Sequence, residues 1–230
     1  MPWYKDAKPH ELSWAYSTRT RKNKFILHTS VGGLGAALRA WAPAQKLWST
    51  FYVEVQDVQA TLDKATSLGS KTVVPVTEIP GFGTFAMFDD PDGLLIGLTQ
   101  ASGSQEGGPG PSSGEGAKVD WFEVLGSDAE RTQDFYKELF GWTINPDDQG
   151  YALVDTGAGR GIQGGVGSGG QERWATIYAH VPDVERSLAR AEQLGGTRVY
   201  GPMAVDDHMQ TGALRDPAGN VFGVYHHEDH

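Results

Sequence analysis

Glu123 and His180 are the side chains of this sequence best suited to proton transfer, and each stands near an aromatic residue. Trp121 lies two positions before Glu123, and Tyr178 lies two positions before His180. A carboxylate or an imidazole can donate or accept a proton, and an aromatic ring can stack on an organic molecule. We therefore predict Glu123 and His180 as candidate catalytic residues for an isomerase or lyase step, with Glu123 as an alternative anchor for a cationic group.

The candidate ligand-binding residues alternate with apolar residues along predicted strands. Alternate residues of a strand point to opposite faces of its sheet. The apolar set, such as Phe122 and Val124, is expected to pack under helices, so its neighbours should line the opposite, concave face. The predicted ligand-binding residues are Trp121, Tyr178, Thr176, Tyr52, Glu54 and His208. The sequence does not fix the direction in which His208 points.

Several of these candidates also have a simpler interpretation, and the sequence leaves both readings open. Glu123 fits a solvated carboxylate on an open sheet face, and His180 fits a hydrogen bond within the loop that follows its strand. Tyr52 and Tyr178 occupy equivalent positions in a repeat, so they fit packing of the sheet as well as ligand contact. Trp121 either stacks on a ligand or is buried in a contact between domains.

Two further stretches contain residues that often bind ligands. Residues 157–170, GAGRGIQGGVGSGG, lack the Lys-Ser/Thr ending of a P-loop and do not open a helix, so they predict a strand and turn with a mobile loop. Residues 225–230, YHHEDH, have side chains of the metal-ligand type. Their place at a chain end predicts disorder and at most adventitious metal binding.

Composition excludes several classes of protein. The sequence contains no cysteine, which excludes disulfides, thiolate nucleophiles and cysteine-bound zinc. The start, MPWYKDAKPH, does not resemble a signal peptide, and no apolar run approaches the ~18 residues of a membrane span. The formal net charge of −10 lies mostly in residues 118–230, which disfavours nucleic acid. We predict a cytoplasmic protein whose partner is a small-molecule ligand, not a membrane or a nucleic acid.

A duplication organises the chain into two tandem domains. The stretch Asp57–Gly97 recurs as Asp183–Gly223, and the copies align at an offset of 126 residues without a gap. Residues 101–117, ASGSQEGGPGPSSGEGA, are dominated by Gly, Ser and Pro and predict a flexible linker. The predicted domains are therefore residues 1–100 and residues 118–230.

Each repeat predicts a strand, a helix and three further strands. Asp57 caps a helix with one apolar stripe that ends at Leu68-Gly69, and Ser127-Asp128-Ala129-Glu130 has capping-box spacing for a helix to Phe140. A shorter repeat, offset by 55 residues, adds a second such unit within residues 118–230. The prediction is an α+β fold of paired βαβββ units, which form a curved mixed sheet with helices on its outer face.

The first domain lacks part of this plan. The counterpart of the strand Val119–Gly126 would precede the chain, and the counterpart of the helix Ala129–Phe140 would contain Pro9, which breaks a helix. We therefore expect the first strand and a regular first helix to be missing. Either residues 1–23 complete the sheet differently, or a neighbouring copy supplies the strand in a homodimer, since an open inner edge invites aggregation.

With these units and turns in place, the sequence resembles the vicinal oxygen chelate superfamily, the group of glyoxalase-like, bleomycin-resistance-like and extradiol-dioxygenase-like proteins. The resemblance is carried by WFEVLGSDAERTQDFYKELFGW (121–142), IYAHVPDVERSLARAEQLGG (177–196), RDPAGNVFG (215–223) and their equivalents in the first repeat. It implies a cup-shaped sheet that holds a small molecule.

The resemblance also implies where a metal ion would be bound. Members that bind a metal place a histidine near the start of the first strand of each unit and a glutamate in the last strand. Here the first position holds Thr50, Trp121 or Thr176, and the second holds Gly97 or Gly223. Glycine has no side chain that could coordinate a metal, so we expect neither a metal nor another cofactor.

The leading hypothesis is a metal-independent, glyoxalase-like protein that binds a small aromatic or cationic molecule and either sequesters it or converts it. A rival hypothesis is a metal-dependent lyase or dioxygenase with relocated ligands, namely Glu123, His180 and His208. A third is a non-catalytic module in which the truncated first domain forms a dimerisation surface.

Overall fold

The computed structural model describes residues 49–79, 83–101, 117–159 and 161–228. The sequence also predicts strands at FILHT (25–29) and GAALRAW (35–41), and these stretches, residues 1–23 and most of the predicted linker lie outside the described residues. The elements are β1 (Tyr52–Glu54), α1 (Val58–Ser67), β2 (Lys71–Ile79), β3 (Gly83–Asp89), β4 (Leu95–Ala101), β5 (Lys118–Gly126), α2 (Ala129–Phe140), β6 (Thr143–Pro146), β7 (Ala152–Asp155), β8 (Gln163–Ser168), β9 (Trp174–His180), α3 (Val184–Gln193), β10 (Thr197–Ala204), β11 (Met209–Arg215) and β12 (Val221–His227).

The described elements form three copies of the predicted βαβββ unit. We call them module A (β1 to β4), module B (β5 to β8) and module C (β9 to β12). In each module the first strand pairs in parallel with the last, and the third and second strands follow in antiparallel order. Mixed sheets with one helix per module confirm the predicted α+β fold. Within the described residues, no helix is long and apolar enough to cross a membrane.

The chain folds into two compact units that do not follow its order. The Glu123 unit comprises the described parts of Thr50–Gly107 and Trp121–Ala175, and therefore contains module A with most of module B. The His180 unit comprises the described parts of Met1–Ser49, Gly108–Asp120 and Thr176–His230, and therefore holds most of module C. The division into residues 1–100 and 118–230 stays a prediction about the repeat.

Aromatic side chains form the core of the Glu123 unit. Phe51 of module A packs on Phe122 of module B with ring centroids 4.7 Å apart, and Phe88 approaches Phe135 of α2 at 6.3 Å. All four side chains are buried. This packing confirms that Phe122 and its alternate neighbours lie on the helix-covered face, and it leaves the intervening residues of β5 for the other face.

An aspartate caps each helix. The side chains of Asp57, Asp128 and Asp183 accept hydrogen bonds from the backbone N–H three residues further on, at 2.8–2.9 Å. For α2 the predicted capping box placed the cap one residue earlier, and this was wrong, because Asp128 takes that role. The hydroxyl of Ser127 instead donates to Asp92 at 2.7 Å.

The C-terminal residues differ from the predicted disorder. Tyr225, His226 and His227 belong to β12 and pair with β11, so the prediction was wrong for these three residues. The strand extends this far because the β11 partners of those residues, Met209 to Thr211, continue the antiparallel ladder. The glycine-rich stretch does form the predicted strand and turn, with β8 preceded by positive-φ glycines.

The first DP-x-G turn contains a buried carboxyl group. One oxygen of Asp90 accepts hydrogen bonds from the N–H groups of Asp92 and Leu94, and the other accepts one from the Tyr136 hydroxyl of α2 at 2.8 Å. Burial raises the pKa of Asp90 to about 6. The equivalent Asp216 bonds within its own turn, to Asn220 among others, so only the first copy uses this residue to hold a helix.

The same turn contributes a second carboxylate to the start of α2. Asp92 accepts hydrogen bonds from the Ser127 N–H, from the Ser127 hydroxyl and from Arg131. Although burial acts in the opposite direction, these hydrogen bonds and the charge of Arg131 lower the pKa of Asp92. The second repeat has Ala218 at this position, so the turn itself does not need a carboxylate. Asp92 therefore serves the contact between modules A and B.

We predict that Asp90 makes folding stability depend on pH. Its pKa is higher in the folded state, so its contribution is full below about pH 4 and is lost as the pH rises through about 6. The loss amounts to ~3 kcal/mol, since one pKa unit is about 1.4 kcal/mol. Asp90→Asn should flatten the slope of the unfolding free energy over this range, measured by urea denaturation. Asp216→Asn is the matched control, and equal slopes in the two variants would contradict the prediction.

Candidate functional site

Glu123 is held at the centre of β5 by two hydrogen bonds. One carboxylate oxygen accepts from the Trp174 indole N–H at 2.8 Å, and the other accepts from the Tyr151 hydroxyl at 3.2 Å. Glu123 is half-buried, and Trp174 is buried. A partly buried carboxylate that accepts hydrogen bonds from two ring donors has a fixed orientation. The structure thus places Glu123 in a defined, partly aromatic setting rather than on an open, solvated face.

Tyr151 reaches Glu123 by crossing a glycine of β8. Gly165 is the register partner of Glu123, and a Cβ atom on it would lie 2.0 Å from the Tyr151 hydroxyl oxygen. On the other face, a Cβ on Gly164 would lie 2.2 Å from the Phe122 ring. Such distances do not occur between real atoms, so both positions require glycine. The glycine-rich sequence of β8 therefore reflects the rings that cross it.

Trp121, Tyr52 and Glu54 belong to the same compact unit as Glu123. Trp121 is half-buried and lies on the same face of β5 as Glu123, opposite Gln163 of β8. The Tyr52 hydroxyl contacts the Met87 sulfur at 3.8 Å, and burial raises the pKa of this phenol. Glu54 is exposed. Of the predicted ligand-binding residues in this unit, Trp121 is the nearest to Glu123 along the strand, whereas the Tyr52 ring is engaged in packing.

Two of the predicted ligand-binding residues in the His180 unit, Thr176 and Tyr178, form hydrogen bonds with other residues of the protein. The hydroxyl of Thr176 donates to the Val221 carbonyl at 2.6 Å and lies 3.2 Å from the hydroxyl of Ser49. Thr176 is fully buried, so, contrary to the prediction, it offers a ligand no surface and instead stabilises strand pairing. Tyr178 is also buried, and its hydroxyl bonds to that of Tyr200 at 3.2 Å.

His180 lies in a cluster of rings at the end of β9. Its ring stacks on that of His226 with centroids 5.7 Å apart and lies 5.1 Å from the ring of Tyr225. Its Nε2 atom lies 3.5 Å from the backbone nitrogen of His227. These partners belong to β12, so His180 contacts the neighbouring strand rather than the following loop.

His208 lies in the exposed turn between β10 and β11. Its N–H donates to Asp206 at 2.8 Å, and its carbonyl accepts from the Glu228 N–H at 3.0 Å. The hydrogen bond from this backbone lowers the pKa of Asp206. The backbone of His208 therefore closes a turn.

The residues do not fit the metal ion that the family resemblance implies. A Cβ at Gly97 would lie 2.2 Å from the Tyr52 ring, and a Cβ at Gly223 would lie 2.0 Å from the Tyr178 ring. No ligand side chain can therefore extend from either glycine. Among the described residues, no three His, Asp or Glu side chains form a group that could hold a metal. The relocated set of Glu123, His180 and His208 gains no support from this geometry.

A small depression lies beside the turn between β7 and β8. Its volume is about 180 Å³. The lining residues are Val154, Asp155, Thr156, Gly159, Gly161, Ile162 and Gln163. Sites for drug-sized ligands usually measure roughly 300 Å³ or more, so this depression alone does not hold a large organic molecule. Gln163, which lines this depression, pairs with Trp121 in the sheet.

The sequence did not indicate that Trp174 and Tyr151 donate hydrogen bonds to Glu123. The signal available was the repeat itself, because the offset of 126 residues pairs Trp174 with Trp48 and Tyr151 with Phe25. Aromatic residues recur at both positions. The repeat does not reveal that these rings converge on Glu123, since the convergence depends on which strands pair.

Comparisons with known proteins agree with this fold. Residues 123–225 match the family model of the glyoxalase-like domain. The "Putative glyoxylase CFP32" of Mycobacterium tuberculosis is 27% identical over 184 residues, which cover 77% of this chain and 69% of that protein. The anthracycline biosynthesis protein DnrV of Streptomyces peucetius is 28% identical over 124 residues, or 46% of this chain and 45% of that protein.

A solved structure shows the same fold at lower sequence identity. Homoprotocatechuate 2,3-dioxygenase from Arthrobacter globiformis aligns with a TM-score of 0.51 and 16% identity, and the alignment covers 77% of this chain and 61% of that chain. The chain thus spans less than two thirds of that dioxygenase. At this identity the likeness concerns the fold alone.

We predict that Trp174 and Glu123 are energetically coupled. Trp174→Phe removes the indole donor, and a hydrogen bond to a charged group contributes about 1.5–3 kcal/mol. A double-mutant cycle with Glu123→Gln, measured by urea denaturation, should give a coupling energy of about 1 kcal/mol or more. Trp121→Phe is the matched control on the same strand and should show little coupling with Glu123. Equal coupling for both tryptophans would count against the assigned hydrogen bond.

Proposed function

We propose that this chain, which matches the glyoxalase-like domain over residues 123–225 and shares its fold, is a member of the vicinal oxygen chelate superfamily that binds a small organic molecule at Glu123 without a metal ion. In this proposal the Glu123 carboxylate holds a cationic group of the ligand, and neighbouring aromatic side chains contact its apolar part. The observation that carries the proposal is a break in the repeat, since the position of Glu123 is occupied by tyrosine in the other two modules.

The three positions are equivalent both in sequence and in strand pairing. Tyr52, Glu123 and Tyr178 each stand five residues before the aspartate that caps their helix, and each pairs with a glycine of the last strand of its module. Tyrosine satisfies the fold at two of the three positions. A half-buried carboxylate costs desolvation free energy that a tyrosine ring would avoid. Retention of a carboxylate at this one position therefore favours a role in ligand binding.

The surroundings of Glu123 suit an aromatic ligand with a cationic group. Trp121 shares its sheet face, and Trp174 and Tyr151 fix the carboxylate. Aromatic walls with few polar groups are typical of small-molecule sites, and aromatic faces also attract cations. The likeness to a protein named for anthracycline biosynthesis supports a polycyclic aromatic ligand.

The proposal includes two modes of action. As a binding module the protein sequesters its ligand. As an enzyme of the isomerase or lyase type it uses Glu123 to move a proton, with His180 as the second candidate for that role. His180 packs against the rings of Tyr225 and His226 in β12. A metal-dependent lyase or dioxygenase is disfavoured, because the described residues supply no suitable group of ligands.

The binding step can be tested with an anthracycline that carries an amino sugar, titrated against the full chain by isothermal calorimetry. We expect Glu123→Gln to weaken binding about tenfold or more, because the charge-assisted contact is lost. Glu130→Gln removes the same charge from the first turn of α2 and should leave the affinity unchanged. The N-acetylated ligand, which has no ammonium group, should bind the wild type and Glu123→Gln equally. Unchanged affinity of the cationic ligand for Glu123→Gln would refute the anchor.

Mass spectrometry of the ligand after incubation separates the two modes of action. An unchanged ligand that binds saturably identifies a binding module. Conversion that is abolished in Glu123→Gln at ligand concentrations that saturate this variant identifies an enzyme with Glu123 as its proton-transfer group. Conversion that persists in Glu123→Gln but stops in His180→Gln would transfer the catalytic role to His180.

A further inference from the structure

We infer that tyrosine rings laid over glycines close the metal-binding position of this scaffold in modules A and C. The pairs are Tyr52 with Gly97 and Tyr178 with Gly223. This inference is independent of the Glu123 site, since it rests on other residues, and each can fail without the other. It concerns the position at which the last strand of a module would offer a carboxylate to a metal ion.

In module A the ring of Tyr52 crosses β4 and ends at β3. Its strand partner Gly97 leaves room for the ring, because a Cβ there would lie 2.2 Å from a ring carbon. Beyond the glycine, the hydroxyl reaches the sulfur of Met87, which is itself the partner of Gly97 on the other side. The ring therefore covers the position from which a metal ligand would extend.

Module C has the same tyrosine over glycine, but the large residue at the end of the ring comes from the second strand instead of the third. The ring of Tyr178 crosses Gly223, where a Cβ would lie 2.0 Å away, and its hydroxyl meets that of Tyr200. The position equivalent to Met87 is Ala213, and the partner of Ala213 in β10 is Tyr200. The small alanine leaves the space into which the Tyr200 hydroxyl extends.

The corresponding pair in module A is Val74 with Met87, so a small and a large residue have changed places between the copies. Each copy thus keeps one large side chain at the end of its tyrosine. This compensation within one chain indicates that the tyrosine over the glycine, rather than its particular partner, is the feature that both copies maintain. Without a large side chain at its end, the tyrosine ring would border a cavity, and a cavity in the core lowers the free energy of unfolding.

Module B keeps a ring over the glycine but takes the ring from another strand. Tyr151 precedes β7 and covers Gly165 from the opposite side, which leaves the first-strand position free for Glu123. All three described modules therefore have a tyrosine over this glycine. A carboxylate ligand at the glycine and a ring above it exclude each other sterically, so opening the position requires removal of the ring.

A double-mutant cycle in the full chain tests the steric part. Gly223→Ala should lower the ratio of folded to unfolded protein about 10- to 100-fold in urea denaturation, because the added methyl group overlaps the ring. In a Tyr178→Ala background the same change should cost less than about threefold. Gly212→Ala, on the adjacent strand β11, is the matched control and should show the same cost in both backgrounds. An equal cost of Gly223→Ala in both backgrounds would overturn the inference.

Elemental analysis tests the metal part. Protein without a purification tag is incubated with Mn²⁺, Fe²⁺ or Zn²⁺, desalted and analysed, in parallel with a His226→Gln/His227→Gln variant that lacks two strand-end histidines. We expect the variant to retain less than about a tenth of a metal ion per protein chain, whether or not the wild type retains metal at the end of β12. One equivalent retained by both proteins would overturn the inference.

A gain-of-binding variant provides an independent readout. Tyr178→Ala with Thr176→His and Gly223→Glu removes the ring and places a ligand at both positions where the family resemblance implies one, so calorimetric titration should show Zn²⁺ binding at least about tenfold tighter than in the wild type. Equal Zn²⁺ affinity in a folded variant would contradict closure by the ring. If this variant does not fold, the double-mutant cycle and the elemental analysis decide.

Discussion

The contact between a tyrosine ring and a bare glycine backbone is the constraint on which the sheets of this protein depend. It fixes which strands lie side by side, because the ring must cross the last strand of its own module. It also decides the chemistry of the face it covers. A glycine at Gly97 or Gly223 is required by the ring above it, and the same glycine removes the side chain through which this scaffold would coordinate a metal.

The exception to this constraint defines the candidate site. In module B the covering ring comes from Tyr151, so the first-strand position that holds a tyrosine in the other modules is occupied by Glu123. Trp174 then orients the carboxylate. The ring that covers the glycine of module B thus comes from the residue before β7 instead of from the first strand. The glycine-rich sequence of β8 accommodates this arrangement, since it leaves room for rings on both faces of the strand.

Local patterns predicted most of the fold, and contacts distant in sequence account for the errors. Alternation, aspartate caps and DP-x-G turns act over a few residues, so the sequence predicted the βαβββ units and their helices well. The cap of α2 was misplaced because Asp92, 35 residues away in sequence, binds Ser127. Thr176 was expected on an open face, but its hydroxyl serves the neighbouring strand. The sequence identified Glu123 as a candidate but could not reveal Trp174 and Tyr151 as its partners, because only strand pairing brings them together.

The proposed site combines a Glu123 anchor for the ligand with a scaffold whose metal position is closed. The most direct test is a crystal structure of the full chain soaked with a cationic aromatic ligand, such as an amino-sugar anthracycline, in the presence of Zn²⁺. We expect the ligand ammonium within about 3 Å of the Glu123 carboxylate, with Tyr52 and Tyr178 still covering their glycines. A Zn²⁺ ion bound beside Gly97 or Gly223, or a ligand bound away from Glu123, would contradict it.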